Sequence, residues 1–233
     1  MTARWIALLA TILLAQGVGA SASAAADLSR ETLMLIAPVS AAIAKVRAEQ
    51  AALPPPKDDA EKLLRMRDLE QAPRAAMMAV DFQKVPPAER KAAYTAMWEQ
   101  ITPIDEANQK AVLEMLPPEG WFTISRYGKE ASRAAFLIVQ HGNVELWRRF
   151  VPVLEPLAAM GEVEGSHFAL MYDRLETMEG RKQRYGSQMS CKAGKWVPAP
   201  IEAPEELDAR RAKFGMEPYA GYLAKNFSGP APC

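Results

Sequence analysis

Lys129-Glu130-Ala131-Ser132-Arg133-Ala134-Ala135-Phe136-Leu137-Ile138-Val139-Gln140 carries an apolar block, Ala134 to Val139, that covers every side of a helix. A helix apolar all round belongs inside other helices, so this segment predicts the centre of a helical domain. The flanking chain has the same character. Asn143 is a good cap for a helix from Val144 to Met160 that carries Leu146, Trp147, Phe150, Leu154 and Leu157 at helical spacing, bent at Pro152 and closed by Gly161. Ser166 starts another, with Phe168, Met171, Leu175 and Met178 on one face and Gly180 after it. Gly142 is expected to be the left-handed residue that ends the central helix.

Upstream, proline punctuates the pattern. Ser29 caps a helix through Leu33, Leu35, Ile36 and Ile43, bent at Pro38 and ended by Leu53-Pro54-Pro55-Pro56. Asp58-Asp59-Ala60-Glu61 is a capping signature for the next, which Pro73 should kink or divide. Pro86-Pro87 opens a helix to about Gln100. A separate helix is then expected from Thr102-Pro103-Ile104-Asp105, with Thr102 as cap and Pro103 in the first turn, running to Pro117-Pro118. Trp121 to Arg126 reads as a turn or short extended piece. Downstream, periodicity fades. Residues 181–200 read as a loop or small hairpin, with turns at Tyr185-Gly186 and Ala193-Gly194, before a last short helix from Pro204 to Phe214. The fold class is all-α: one irregular multi-helix domain, residues 27–233, with a less regular C-terminal segment.

Residues 1–26 have a different composition. A basic start at Arg4 is followed by the apolar run Ile6 to Ala15 and the small-residue tract Ala20 to Ala26, the order of a secretory signal peptide. The apolar run is half the length of about 20 residues needed to cross a bilayer. Cleavage after Ala22 or after Ala26 satisfies the small-residue rule, and Ala26 is favoured because the composition changes at Asp27. The mature protein is therefore expected in the periplasm or secreted, with no stable membrane span. Cys191 and Cys233 are the two cysteines, and an oxidising compartment favours their pairing as a disulfide. Lys plus Arg total 28 and Asp plus Glu total 28. That balance offers no basic field for nucleic acid.

Chemistry is sparse. His141 ends the central helix and is the leading acid–base residue, although a histidine there also serves the helix dipole. Asp173 or Asp105 is the carboxylate that would orient it. Asp173 and Arg174 lie mid-helix, where a solvated face competes with a buried network; Asp105 also reads simply as a helix-start carboxylate. Asp68 and Arg74 bracket Pro73 without a spacing that ties them to a substrate. Gln183-Arg184-Tyr185-Gly186-Ser187-Gln188 is a polar loop suited to meeting a ligand. His141 and His167 form no zinc motif, no phosphate-binding or nucleophile-elbow motif occurs, and the scattered methionines read as core filling. No cofactor or metal is expected.

Taken together, Gly120-Trp121-Phe122-Thr123-Ile124-Ser125, Gly128, Gln140-His141, Asp173-Arg174, Gly180, Gln183 and Tyr185-Gly186-Ser187-Gln188 resemble the pattern of a bacterial family of unknown function, DUF6624. That pattern is G-W-P-T-x-S, Q-H-A, a D-R pair and Q-x-Y-G-T-Q, and the likeness covers about residues 105–222, with a weaker echo at Asp68 to Arg74. Phe122 stands in place of Pro, Gly142 in place of Ala, and Ser187 in place of Thr. The resemblance implies that His141, Asp173, Arg174, Gln183, Tyr185 and Gln188 belong to one site, within which the residue chemistry gives His141 and Asp173 as catalytic candidates and Arg174, Gln183, Tyr185 and Gln188 as ligand-binding ones. It implies no reaction. Three functions follow as expectations: a small-molecule or peptide binding module of the cell envelope, a hydrolytic enzyme using His141 as general base, or a module that holds or inhibits a protein partner.

Overall fold

A computed structural model of the protein describes residues 23–227. Residues 1–22 of the expected leader (1–26), and Cys233 of the expected Cys191–Cys233 pair, lie outside the described residues. Within them the chain is mostly helical. In order come α1 (Arg30–Ala51), α2 (Asp59–Met78), α3 (Arg90–Glu114), α4 (Ile124–Tyr127), α5 (Lys129–Gln140), α6 (Val144–Ala159), α7 (Gly165–Met178), strands β1 (Met189–Lys192) and β2 (Lys195–Pro198), then α8 (Leu207–Lys213) and α9 (Tyr219–Phe227).

The helix starts obey local capping chemistry. Ser29, Asp58 and Asn143 accept from the amides of Thr32, Glu61 and Leu146, and Glu61 reaches back to the Lys57 amide at 3.0 Å. The prolines act less than expected. Pro73 sits buried inside an unbroken α2, and Pro103 sits inside a single α3 where a break was predicted. A continuous buried stripe overrides the local signal in α3: Ala93, Ala96, Met97 and Ile101 precede Pro103, and Ile104, Asp105, Asn108 and Val112 follow it on the same face. Dividing the helix would turn one half away from the core. Two residues on that stripe, Asp105 and Asn108, are polar.

α5 is the central helix, with Ala134, Ala135, Phe136, Ile138 and Val139 buried. Around it α2, the second half of α3, α6 and α7 bury Leu63, Val112, Trp121, Phe122, Phe150, Leu154, Phe168 and Met171. A second cluster lies at the other end, where Leu28, Ile36 and Val39 meet Val85, Met97 and Ile101. Gly142 does not have the positive φ expected of it. Its reason is space: a Cβ there would lie 2.5 Å from Leu146 Cδ1, so the family's alanine fits only if the end of that side chain moves. The short α4 replaces the expected turn, and α9 has no counterpart in the sequence reading.

After α7 the chain forms the small antiparallel β1–β2 hairpin, turned by Ala193 (φ 50°) and Gly194 (φ 74°). No helix among the described residues is long and apolar enough to cross a membrane.

Candidate active site

Where α2, α3 and the end of α5 converge, the interior is polar. Glu70 of α2 is fully buried, and its Oε1 lies 2.5 Å from Nδ1 of His141, the C-terminal cap of α5. Gln71 Nε2 donates to the same oxygen at 3.0 Å. One turn along α2, Arg74 donates to the Glu70 carbonyl at 3.0 Å and to Asp105 Oδ2 at 2.6 Å, with its guanidinium over the Trp98 ring. Asn108 ties α3 to α2 through the Met66 carbonyl at 3.0 Å. Glu70 and Arg74 are four residues apart and therefore share a helix face, and that face carries Leu63 and Pro73 into the core.

Among the described residues Glu70 Oε2 and Asp105 Oδ1 find no donor, and neither does Gln140 Oε1 beside His141; all three are buried. Burial raises the Asp105 carboxyl above the usual aspartate range, against the pull of Arg74. An unpaired buried carboxylate oxygen costs on the order of 1–3 kcal/mol. Groups carrying such a cost gather at functional sites. His141, with 18% of its side chain exposed, links the buried carboxylate to the surface. With Nδ1–H donated to Glu70, the neutral ring keeps its lone pair on Nε2. A buried carboxylate behind an imidazole is the arrangement that fixes tautomer and orientation and stabilises the cation formed when the ring takes a proton.

The other residues of the expected single site divide between two places. Asp173 is fully buried on α7, and its carboxylate belongs to the loop after that helix. Oδ1 accepts from the amides of Arg184 (2.8 Å) and Tyr185 (3.0 Å), and Oδ2 from Ser187 (2.9 Å). Burial pushes the Asp173 carboxyl up and these amides pull it back. Gln183, also fully buried, donates to the carbonyls of Gln188 (3.0 Å) and Ala199 (2.8 Å) and accepts from the Gln188 amide (2.8 Å). The Tyr185 ring packs edge-on against Phe168, Tyr172 and Phe214. Gly186 has φ 73°, and a Cβ there would come within 2.6 Å of the Tyr219 ring. Gln188 Nε2 turns to the Ser187 hydroxyl at 3.0 Å. The Q-x-Y-G-S-Q loop thus spends its polar groups on its own conformation.

Arg174 points the other way. It donates to the Gln140 carbonyl at 2.9 Å, next to His141, and lies over Trp147. The structure therefore brings Arg174 to the His141 end of α5 and places Asp173, Gln183, Tyr185 and Gln188 in the loop anchor. Asp105 reaches His141 only through Arg74 and Glu70. Glu70 escaped the sequence reading; its signal was a glutamate seven residues after Leu63, on the inward stripe of α2. His167 stacks flat on Phe136 at 4.1 Å, and burial holds it down to about 4 despite Glu164 at 3.0 Å. Among the described residues no group of three or more His, Cys, Asp or Glu is placed to hold a metal.

These features define a class: a helical domain with a carboxylate–imidazole pair at the convergence of three helices and a self-bonded loop beside it. Residues 57–226 match the model of a family of unknown function (DUF6624), and the chain belongs to that family. The match spans α2 to α9 and leaves α1 outside. No curated protein and no solved structure matches the chain.

Proposed function

We propose that the protein is an exported hydrolytic enzyme in which His141 is the general base and Glu70 the residue that positions it. One observation carries this reading: the 2.5 Å contact of His141 Nδ1 with a carboxylate that has no exposure of its own. Such a base accepts a proton at Nε2 from water or from a substrate hydroxyl and returns it to the leaving group, a contribution of about 10²–10⁴ in rate. The binding-module alternative rests on Arg174, Gln183, Tyr185 and Gln188; Gln183 spends its amide on the carbonyls of Gln188 and Ala199 and on the Gln188 amide, and Gln188 Nε2 turns to Ser187, which leaves Arg174 as the member of that set placed beside His141. The partner-protein alternative needs a broad apolar face. Among the described residues the exposed large apolar side chains are spread over six elements: Leu33, Met34 and Leu53 on or just after α1, Met78 on α2, Tyr94 on α3, Met160 after α6, Met178 on α7 and Trp196 on β2. Export is supported by the order of charge, apolar run and small residues in 1–26.

The test is comparative. Purified wild type and His141→Gln are incubated with a metabolite and peptide extract of the bacterial envelope, and consumed and formed species are read by mass spectrometry. Wild type is expected to convert a defined set that H141Q leaves intact, at rates that rise as the histidine deprotonates. Glu70→Gln is expected to lower turnover about 10²-fold or more and displace that pH profile, whereas Glu70→Asp restores part of it. A wild type that converts nothing, or an H141Q that converts the same species, overturns the reading.

A further inference from the structure

Arg174 is the cation this site leaves uncommitted. Other inward-turned arginines are matched: Arg74 by Asp105, Arg210 by the carbonyls of Arg184 and Ala203, and Arg211 by those of Tyr185 and Glu217. Arg174 makes one hydrogen bond, to the Gln140 carbonyl, and among the described residues no carboxylate lies within salt-bridge distance of it. A guanidinium carries five N–H donors, so most of its capacity is unused. The attraction of an arginine to the C-terminal end of α5 explains the bond to Gln140 but not the rest.

Its surroundings deepen the imbalance. The guanidinium lies 5.6 Å over Trp147, whose own Nε1–H is buried without an acceptor. Burial lowers the Arg174 pKa, and no neighbouring anion offsets it. Holding an unpaired cation in a half-buried position costs stability, and that cost is relieved when an anion arrives. The Gln140 carbonyl that Arg174 binds is one residue before His141, at the same end of α5.

We propose that Arg174 binds an anionic group of the substrate, a carboxylate or a phosphate, and so holds the substrate against the end of α5 that carries His141. The planar fork pairs with either anion in a bidentate way. As a statement about substrate this rests on the enzymatic reading above, but the anion site is measurable without turnover.

The probes are acetate and inorganic phosphate, titrated against the Nε–Hε signal of Arg174 in nitrogen-15 NMR at fixed ionic strength maintained with chloride. A saturable shift is expected with a dissociation constant on the order of millimolar for at least one of the two, and the tighter one names the anion class. Arg174→Lys, which keeps charge and folding but loses the fork, is expected to weaken that binding about tenfold as followed by backbone amides near Gln140. An Arg174 that responds to neither anion beyond chloride overturns the proposal. H141Q separates the two readings: it should retain the anion while losing turnover. Anion binding in a protein that converts nothing removes the enzyme reading and keeps this one, whereas turnover with an Arg174 indifferent to both anions removes this one alone.

Discussion

Replacing Asp173 by alanine removes the acceptor for three backbone amides, those of Arg184, Tyr185 and Ser187. Hydrogen bonds to a charged acceptor contribute about 1.5–3 kcal/mol each, and a buried amide left unpaired costs about 1–3 kcal/mol. Tyr185 is buried, whereas Arg184 and Ser187 are half-buried and regain water when the carboxylate is gone. The net loss is therefore below the sum of the three, about 3–5 kcal/mol for Asp173→Ala. Asp173→Asn keeps one carbonyl oxygen but turns an NH2 toward a backbone N–H, for a loss of about 2–3 kcal/mol. Urea unfolding followed by tryptophan fluorescence reads both, since Trp121 and Trp147 are buried. With a slope of about 3 kcal/mol per molar, the alanine variant should unfold roughly 1 M earlier. Below the transition, turnover and the His141 ring signals of either variant should remain those of the wild type. A D173N protein with the wild-type midpoint and abolished turnover would refute the assignment of this carboxylate to the loop and return it to the chemistry.

Four further outcomes are expected. His167 is held neutral down to about 4, below its ordinary 6.5, so the unfolded chain binds the proton first as pH falls. Stability linked to this residue is then complete above pH 6.5 and lost between 6.5 and about 4, by about 3 kcal/mol; His167→Phe, which keeps the stack on Phe136, should flatten that part of a plot of unfolding free energy against pH. Gly165→Ala places a Cβ 2.4 Å from the Phe214 carbonyl oxygen, where backbone must yield, and should lower stability by about 1–3 kcal/mol in the same urea assay. Under the export proposed above, the intact mass should show Ser23 as the first residue, because Ser23 and Ala24 both donate to the Glu99 carboxylate, contacts that cleavage after Ala26 would discard. The same spectrum should shift by two hydrogens on reduction if Cys191 and Cys233 are paired.

Much of the helical plan was readable along the chain because caps, apolar spacing and terminal glycines are local: Ser29, Asp58 and Asn143 sit where their side chains must be to satisfy the first amides of their helices. Pro103 shows where local reading stops. Its helix-start chemistry is complete, yet the buried stripe from Ala93 to Val112 keeps one helix through it, and a stripe acquires meaning only when neighbouring helices lie against it. Asp173 shows the same limit from the other side. A helical wheel turns it away from Phe168 and Met171, but the returning loop covers that side and converts an outward face into an interior one.

Periodicity and capping thus established an all-α chain and singled out His141, since both depend on residues near one another in sequence, and the family was legible only as a resemblance of its motifs. Which carboxylate stands behind the imidazole depended on the third dimension. Glu70 and His141 are separated by 71 residues, and they meet because α2 packs against α5, a consequence of long-range burial to which no local spacing corresponds.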